Sequence, residues 1–120
     1  MKTGKVIFNW NDDILYVEAI GPFNAAQIHE AVVNYQIVIS HSPVRQFKVI
    51  ECWDDEALGP PDGLEEVGQN WCVLLTRGCI AIAIVVNNEL QKMVAEKFLP
   101  AIGKVFRDKS EALLWLKQQP

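Results

Sequence analysis

Four segments of the chain can form helices. In the first two, apolar residues recur at alternating steps of three and four positions, and in the third at steps of four, which places those residues on one face of an α-helix. Each segment follows an Asx residue that can cap the first helical amides and that has Gln or Glu three positions later, namely Asn24, Asp62, Asn88 and Asp108. The sequence therefore predicts four helices. The first ends near Ser40, and the third stops before Pro100 because the residue ahead of proline avoids helical geometry.

Strand patterns lie before and between these helices. Val6, Phe8 and Trp10 alternate with Lys5, Ile7 and Asn9, and a turn at 11–13 leads into ILYVEAI. The first two strands are therefore predicted to form a hairpin. Residues 47–53 and 103–107 supply two further strands. The remaining strand, CIAIAIVV, is apolar on both faces, which is typical of the centre of a parallel sheet. Its Ala81 and Ala83 share one face, so a helix can approach that face closely.

The predicted order of elements is ββαβαβαβα, an α/β arrangement. Right-handed crossovers then imply a mixed, mostly parallel five-stranded sheet with four helices packed on it. The chain has 120 residues, of which 50% are hydrophobic and 22% charged, a balance typical of a folded globular protein. We therefore expect residues 1–120 to form a single domain with one core.

The net charge and the apolar runs of the chain restrict the kinds of partner that we expect for it. The net charge of −4 repels a phosphate backbone, so nucleic acid is not expected as a partner. The N-terminal stretch MKTGKVIFNWNDD has no apolar core followed by a cleavage site, so we predict no signal peptide and a cytoplasmic location. The longest apolar run, residues 79–86, is far shorter than the roughly 20 residues that cross a bilayer, so no membrane insertion is expected.

Motifs for metal, nucleotide or serine chemistry do not occur. Cys52, Cys72 and Cys79 lack the paired short spacings of a zinc site or a CxxC redox pair, and we interpret all three as buried small hydrophobic residues. GxGxxG, P-loop, GxSxG and SxxK patterns are missing. His29 and His41 have no candidate ligand or nucleophile nearby and are predicted to lie at the surface. We therefore predict neither a metal nor a cofactor.

Five blocks of sequence, taken in order, resemble the small bacterial SpoIIAA-like proteins of the STAS and SEC14 fold superfamily. They are GKVIFNWNDDILYVEAIGPFN, VIECWDDEALGPPDGLEEVG, GCIAIAIVVNN, AEKF and DKSEALLWL. The resemblance covers essentially the whole chain and rests on the order and spacing of the blocks. It implies a sheet wound as successive βα units, in agreement with the pattern above.

The chain departs from its STAS-type relatives at one functional position. In anti-sigma factor antagonists of that type, a serine at the start of the helix after the third strand is phosphorylated to switch partner binding. Here no Ser or Thr occurs between Val44 and Leu75. The phosphorylation switch is therefore not transferred to this chain. The SEC14-like relatives bind lipids in an apolar pocket, which the resemblance implies only as an alternative because those proteins are much larger.

Loops after the strands supply the candidate site, since ligands of open α/β sheets bind outside the carboxyl ends of the strands. The predicted ligand- or partner-binding residues lie in three such loops and are Phe23, Asn24, Trp53, Asp54, Asp55, Glu56, Asp62, Asn87 and Asn88. The acidic cluster opposes the field of nearby helix N-termini and disfavours phosphate ligands. The alternative interpretation is that these carboxylates are simply solvated next to helix starts.

Two strand carboxylates and four tryptophans complete the candidates. Glu18 and Glu51 each lie in an otherwise apolar strand, where a carboxylate can acquire a raised pKa and a pocket role. The favoured interpretation places both carboxylates in water at a sheet edge or strand end. Trp71 and Trp115 are predicted to be core residues, whereas Trp10 and Trp53 end strands and either rim a crevice or cover the open sheet face.

Three functions fit these features. The leading hypothesis is a non-catalytic binding or interaction module with a protein partner at the acidic loop. The second is a carrier for a small apolar or lipid-like ligand, and the third is an enzyme that uses the strand and loop carboxylates. If most helices lie on one side of the sheet, a twofold homodimer is one way to cover apolar residues on the other side.

Overall fold

The computed structural model describes residues 4–120, in which the predicted order of five strands and four helices is confirmed. The strands are β1 Lys5–Asn11, β2 Ile14–Ile20, β3 Phe47–Trp53, β4 Cys79–Val85 and β5 Gly103–Phe106. The helices are α1 Ala25–Ser40, α2 Pro61–Thr76, α3 Glu89–Phe98 and α4 Lys109–Lys117. Residues 1–3, the start of the stretch considered above for a signal peptide, lie outside the described residues.

The strands form one mixed sheet in the order β1-β2-β3-β4-β5. β1 and β2 are antiparallel and pair from Lys5 with Ile20 to Asn11 with Ile14, while each later neighbour is parallel. The hairpin closes through a tight turn in which Asp12 has φ 55°, a left-handed conformation that Asp tolerates better than most residues. The prediction of a mixed, mostly parallel five-stranded sheet is confirmed.

Helices cover the two faces of the sheet unequally. Side chains of α1, α2 and α3 share a core with one face of the sheet, and α4 packs on the other face. There Ala81 and Ala83 of β4 meet Ala112 and Leu116 of α4, so the small residues do permit the close approach that was predicted. None of the helices within residues 4–120 is long and apolar enough to cross a membrane.

Capping fixes the starts of three helices as predicted. Asn24 forms a reciprocal capping box with Gln27, and Asn88 and Asp108 each accept a hydrogen bond from a first-turn amide. The predicted cap at Asp62 is wrong. α2 begins at Pro61, whose fixed φ suits the first helical position, so Asp62 lies exposed in the first turn, where its charge favours the helix dipole.

The cysteines differ from the prediction that all three are buried. Cys79 is buried and Cys52 is half-buried, but Cys72 is exposed on α2. The reason is helical geometry, because Trp71 and Leu74 point into the core and the position after Trp71 is turned about 100° away from that direction. Gly78, just after α2, has φ +106°, a conformation that glycine adopts without steric cost.

Candidate functional site

A half-open cavity of about 80 Å³ lies between the sheet and the three helices that share one face. It is situated beneath the carboxyl ends of β2 and β3, under the loops predicted to carry the site. Its wall is nearly all apolar and includes Val6, Val17, Ala19, Phe23, Ile28, Val32, Ala57, Leu58, Leu64, Val67, Val94 and Phe98. The polar groups in the wall belong to Tyr35, Glu51, Asn70 and the two indoles of Trp53 and Trp71.

Glu51 places a carboxylate in this wall, and three side chains donate hydrogen bonds to it. Oε2 accepts from the Tyr35 hydroxyl at 2.8 Å and from Trp71 Nε1 at 2.8 Å, and Oε1 accepts from Trp53 Nε1 at 3.1 Å. Only 5% of the residue is exposed. The expectation that the Glu51 carboxylate lies in water is therefore wrong, because β3 is the middle strand and Glu51 points toward the face that three helices cover.

Burial sets the electrostatics of this cluster. Desolvation raises the pKa of Glu51 above its ordinary value, and the hydrogen bonds from Trp71, Trp53 and Tyr35 oppose that rise. The pKa of Tyr35 is also raised, first by burial and then by the neighbouring charge of Glu51. Within residues 4–120 no Lys, Arg or His nitrogen forms an ion pair with Glu51. Its charge is compensated by hydrogen bonds alone.

Two tryptophans frame the carboxylate. The rings of Trp53 and Trp71 stack with centroids 6.3 Å apart and an interplanar angle of 15°. Trp71 is 1% exposed, as its predicted core position requires, and Trp53 is 7% exposed. Both rings line the cavity, so Trp71 is a core residue of α2 and also part of the cavity wall. Trp10 instead packs edge-on against Phe47, away from the cavity.

Polar contacts join α1 to α2 beside the cavity. Gln36 Nε2 donates to Asn70 Oδ1, and the buried Gln36 Oε1 has no hydrogen-bond partner in the described part of the chain. At the surface, His29 Nδ1 lies 2.7 Å from Glu66 Oε2, which agrees with the predicted surface position of His29. Asn70 was missed by the sequence analysis, although its spacing from Val67 and Leu74 places it on the apolar face of α2.

Asp54 organises the loop that was predicted to recognise a partner. Its Oδ1 accepts hydrogen bonds from the amides of Gly21 at 3.0 Å and Glu56 at 3.1 Å, which ties the loop after β3 to the end of β2. Asp55 and Glu56 are exposed on the outer side of the same loop. The Asp54 carboxylate therefore lies inside the loop, whereas Asp55 and Glu56 are exposed to solvent.

A second polar network joins this loop to the start of α3. Gln91 is fully buried, and its Nε2 donates to the carbonyl of Asp54 at 2.6 Å while its Oε1 accepts from the Asn87 amide at 2.7 Å. Asn87 Nδ2 donates to the carbonyl of Trp53. Asn88 caps α3. From the sequence, Gln91 was identified only as the residue three positions after the cap Asn88. That spacing was the only sequence signal for its buried position.

The structure brings some of the predicted site residues together and separates others. Phe23 and Trp53 line the cavity, and Asp54 and Asn87 hold the loops above it. Asn24 and Asn88 are caps, and Asp62 is exposed on the first turn of α2. Glu18 is exposed on the opposite face of the sheet, as predicted, so it cannot act together with Glu51. Among the described residues no group of three or more His, Cys, Asp or Glu side chains is close enough to hold a metal ion.

Comparison with known proteins supports the fold. The structure of an uncharacterized protein from the DUF3478 family with a SpoIIAA-like fold, from Shewanella loihica PV-4, matches this chain with a TM-score of 0.64. The two sequences are 19% identical, and the match covers 94% of this chain and 93% of the other. No protein-family model and no curated protein matches the sequence. The chain therefore has a SpoIIAA-like α/β fold, as its sequence blocks predicted, and at this identity the likeness extends to the fold alone.

Proposed function

We propose that the protein is a non-catalytic binding module that holds a small apolar molecule in the cavity beneath β2 and β3. The observation that carries the proposal is the cavity itself, a half-open concavity of about 80 Å³ with a nearly all-apolar wall. Ligand sites are mostly apolar concavities with a small number of polar groups, and this wall has that composition.

The energetics favour an occupant. An apolar molecule in this half-open cavity shields wall side chains from solvent, and burial of apolar surface is favourable by roughly 25 cal/mol per Å². An engineered cavity of roughly 150 Å³ binds benzene, so a ligand with one aromatic ring fills this cavity and extends past its open side. A larger ligand requires wall side chains to move, and the half-buried Phe23 and Phe98 are the wall aromatics with access to solvent.

The arrangement of the carboxylates favours binding over catalysis. Glu51 already accepts three hydrogen bonds, so both of its oxygens have partners within the fold. Asp54 accepts two amide hydrogen bonds inside its own loop. Recognition of a protein partner by the exposed Asp55 remains compatible with ligand binding, because that side chain lies on the outer side of the loop that covers the cavity.

Filling the cavity tests the proposal. Val94 lines the cavity from α3, whereas its neighbour Met93 is 65% exposed. We expect toluene, used as an apolar probe, to raise the melting temperature of the native protein, because a ligand that binds only the folded state stabilises it. Val94→Phe should weaken toluene binding at least tenfold and Met93→Phe should leave it unchanged. Equal affinity in both variants, or no binding by the native protein, contradicts the proposal.

Native mass spectrometry of freshly purified protein provides an independent measurement. A molecule that occupies the cavity should be carried through purification and appear as an added mass on the folded protein. The Val94→Phe variant should lose that mass, and the Met93→Phe variant should retain it. An added mass that survives in Val94→Phe would place the molecule elsewhere on the protein.

A further inference from the structure

The Glu51 cluster carries information about the ligand that the apolar wall alone does not. We propose that the ligand is a cation, a small apolar amine whose ammonium group lies beside the Glu51 carboxylate and the faces of Trp53 and Trp71. This inference rests on the proposed function and specifies the chemical class of its ligand. It follows from the donors around Glu51, from the missing counter-charge and from the aromatic surroundings.

The donors around Glu51 suit an ionised carboxylate. An indole N–H can only donate, and two of the three partners of Glu51 are indoles, at 3.1 Å and 2.8 Å. A protonated carboxyl needs an acceptor for its own hydrogen, and the Tyr35 oxygen is the only one of the three partner atoms that can accept. Three donors that converge on two oxygens therefore match the negative form of the side chain.

This negative charge has no cationic partner within residues 4–120. Buried charges in proteins are normally paired, because hydrogen bonds alone do not restore the solvation that burial removes. The pKa of Glu51 is raised mainly by desolvation, which is the same loss of solvation by the buried carboxylate. A cation in the cavity supplies the missing charge, and it would lower that pKa.

An acceptor position for the cation remains at Oε1. That oxygen accepts one hydrogen bond, from Trp53, whereas Oε2 accepts two. A carboxylate offers about four acceptor positions, so one remains at Oε1. Both indole rings line the cavity and stack with centroids 6.3 Å apart, and the π face of an indole attracts an ammonium group. A ligand with a carboxylate or phosphate group would instead bring a second negative charge to Glu51.

Three probes with one common ring separate the possibilities, namely benzylamine, benzyl alcohol and benzoate. An alkylamine is protonated at pH 7, as the lysine side chain is. We expect benzylamine to bind the native protein at least tenfold more tightly than benzyl alcohol, and benzoate not to bind. In NMR spectra the Nε1–H signals of Trp53 and Trp71 should shift on binding. The signal of Trp115 should not, because that ring packs on the opposite face of the sheet.

Glu51→Gln removes the charge, and Glu18→Gln is the matched control because it removes an exposed carboxylate from the other face. We expect Glu51→Gln to lose the tenfold preference for benzylamine while still binding benzyl alcohol, and Glu18→Gln to keep the preference. If benzyl alcohol binds the native protein as well as benzylamine does, the cation inference is overturned and the apolar cavity stands.

Two further outcomes are decisive. If no probe binds, toluene included, the proposed function fails as well. If Glu18→Gln loses the preference to the same extent as Glu51→Gln, the effect comes from net charge at a distance, and the assignment to Glu51 is wrong. The ranking of the three probes on the native protein decides the inference even where the Glu51→Gln variant does not fold.

Discussion

Glu51 connects three parts of the fold through its two oxygens. Tyr35 belongs to α1, Trp71 belongs to α2 and Trp53 ends the same strand as Glu51. If the carboxylate were truncated, three buried donors would lose their acceptor, and each unsatisfied donor costs about 1–3 kcal/mol. The carboxylate therefore has a structural role in the empty protein as well as the proposed role in ligand recognition.

The raised pKa of Glu51 predicts how stability depends on pH. Because the folded state binds the Glu51 proton more tightly than the unfolded state, the contribution of this group is fully present below the ordinary pKa of 4.5 and is lost as pH rises through the higher folded value. Relative to Glu51→Gln, which does not titrate, the free energy of unfolding of the native protein should therefore fall as pH rises above 4.5. The slope should not exceed about 1.4 kcal/mol per pH unit.

Urea unfolding of both proteins between pH 4 and pH 8 measures this difference. The titration of the other carboxylates cancels, since both proteins contain them. Glu96→Gln serves as the control for the loss of one carboxylate, because Glu96 is exposed on α3. A difference that grows with pH would mean that the hydrogen bonds outweigh burial and that the folded pKa of Glu51 is lowered.

At single positions, the sequence indicated which residues were unusual but not what they contact. A carboxylate inside an apolar strand was visible at Glu51, yet its donors Tyr35 and Trp71 lie 16 and 20 positions away and meet it only because α1 and α2 pack on the same sheet face. Asp54 and Asp55 were likewise equivalent in the sequence. The path of the loop turns Asp54 onto two amides and leaves Asp55 in solvent.

At the scale of elements, α2 and α3 approach each other over a glycine. A Cβ atom at Gly68 of α2 would lie 2.8 Å from Cβ of Phe98, the last residue of α3. The base of a side chain cannot move away without its backbone, so Gly68→Ala should force the two helices apart. We expect it to destabilise the protein by about 1–3 kcal/mol, as overpacking of a core does.

Gly63 in the same helix provides the control for Gly68→Ala. A Cβ atom there would lie 2.6 Å from Cδ1 of Ile28, the flexible end of a side chain that can rotate away. Gly63→Ala also gains up to about 1 kcal/mol of helix propensity. Thermal unfolding should therefore show a loss for Gly68→Ala and little change for Gly63→Ala. Equal losses in the two variants would mean that the contact with Phe98 does not limit the helix packing.

Elements were predicted well where the signal is local. A capping side chain and its partner lie three residues apart, so Asn24 with Gln27 marked the start of α1 correctly. The same rule failed at Asp62, because Pro60 and Pro61 compete for the start of α2 and proline fits the first helical position. The cavity could not be predicted, since its wall combines residues from three strands, three helices and two loops.

At the scale of the whole molecule, the sheet has one fully covered face and one partly covered face. α4 packs against β3, β4 and β5, and its cluster reaches Ile14 and Tyr16 of β2. The outer half beyond this cluster carries Ile7, which is 38% exposed and pairs with the exposed Glu18, together with Ile20. β1 is also an edge strand of seven residues, and an open edge offers unpaired backbone groups to another chain.

We expect a twofold homodimer that covers this outer half of the sheet around β1. An isologous contact places Ile7 and the edge of β1 of one protomer against the same elements of the other.

Sedimentation at high micromolar concentration should show the dimer, and Ile7→Asp should shift it to monomer by placing a charge in the interface. Ile37→Asp is the matched control, since Ile37 is 53% exposed on α1, across the sheet from this surface. A native protein that sediments as a monomer contradicts the dimer. The exposed part of β1 and β2 is then simply solvated, which the polar Lys5 and Asn9 on the same face of β1 as Ile7 permit.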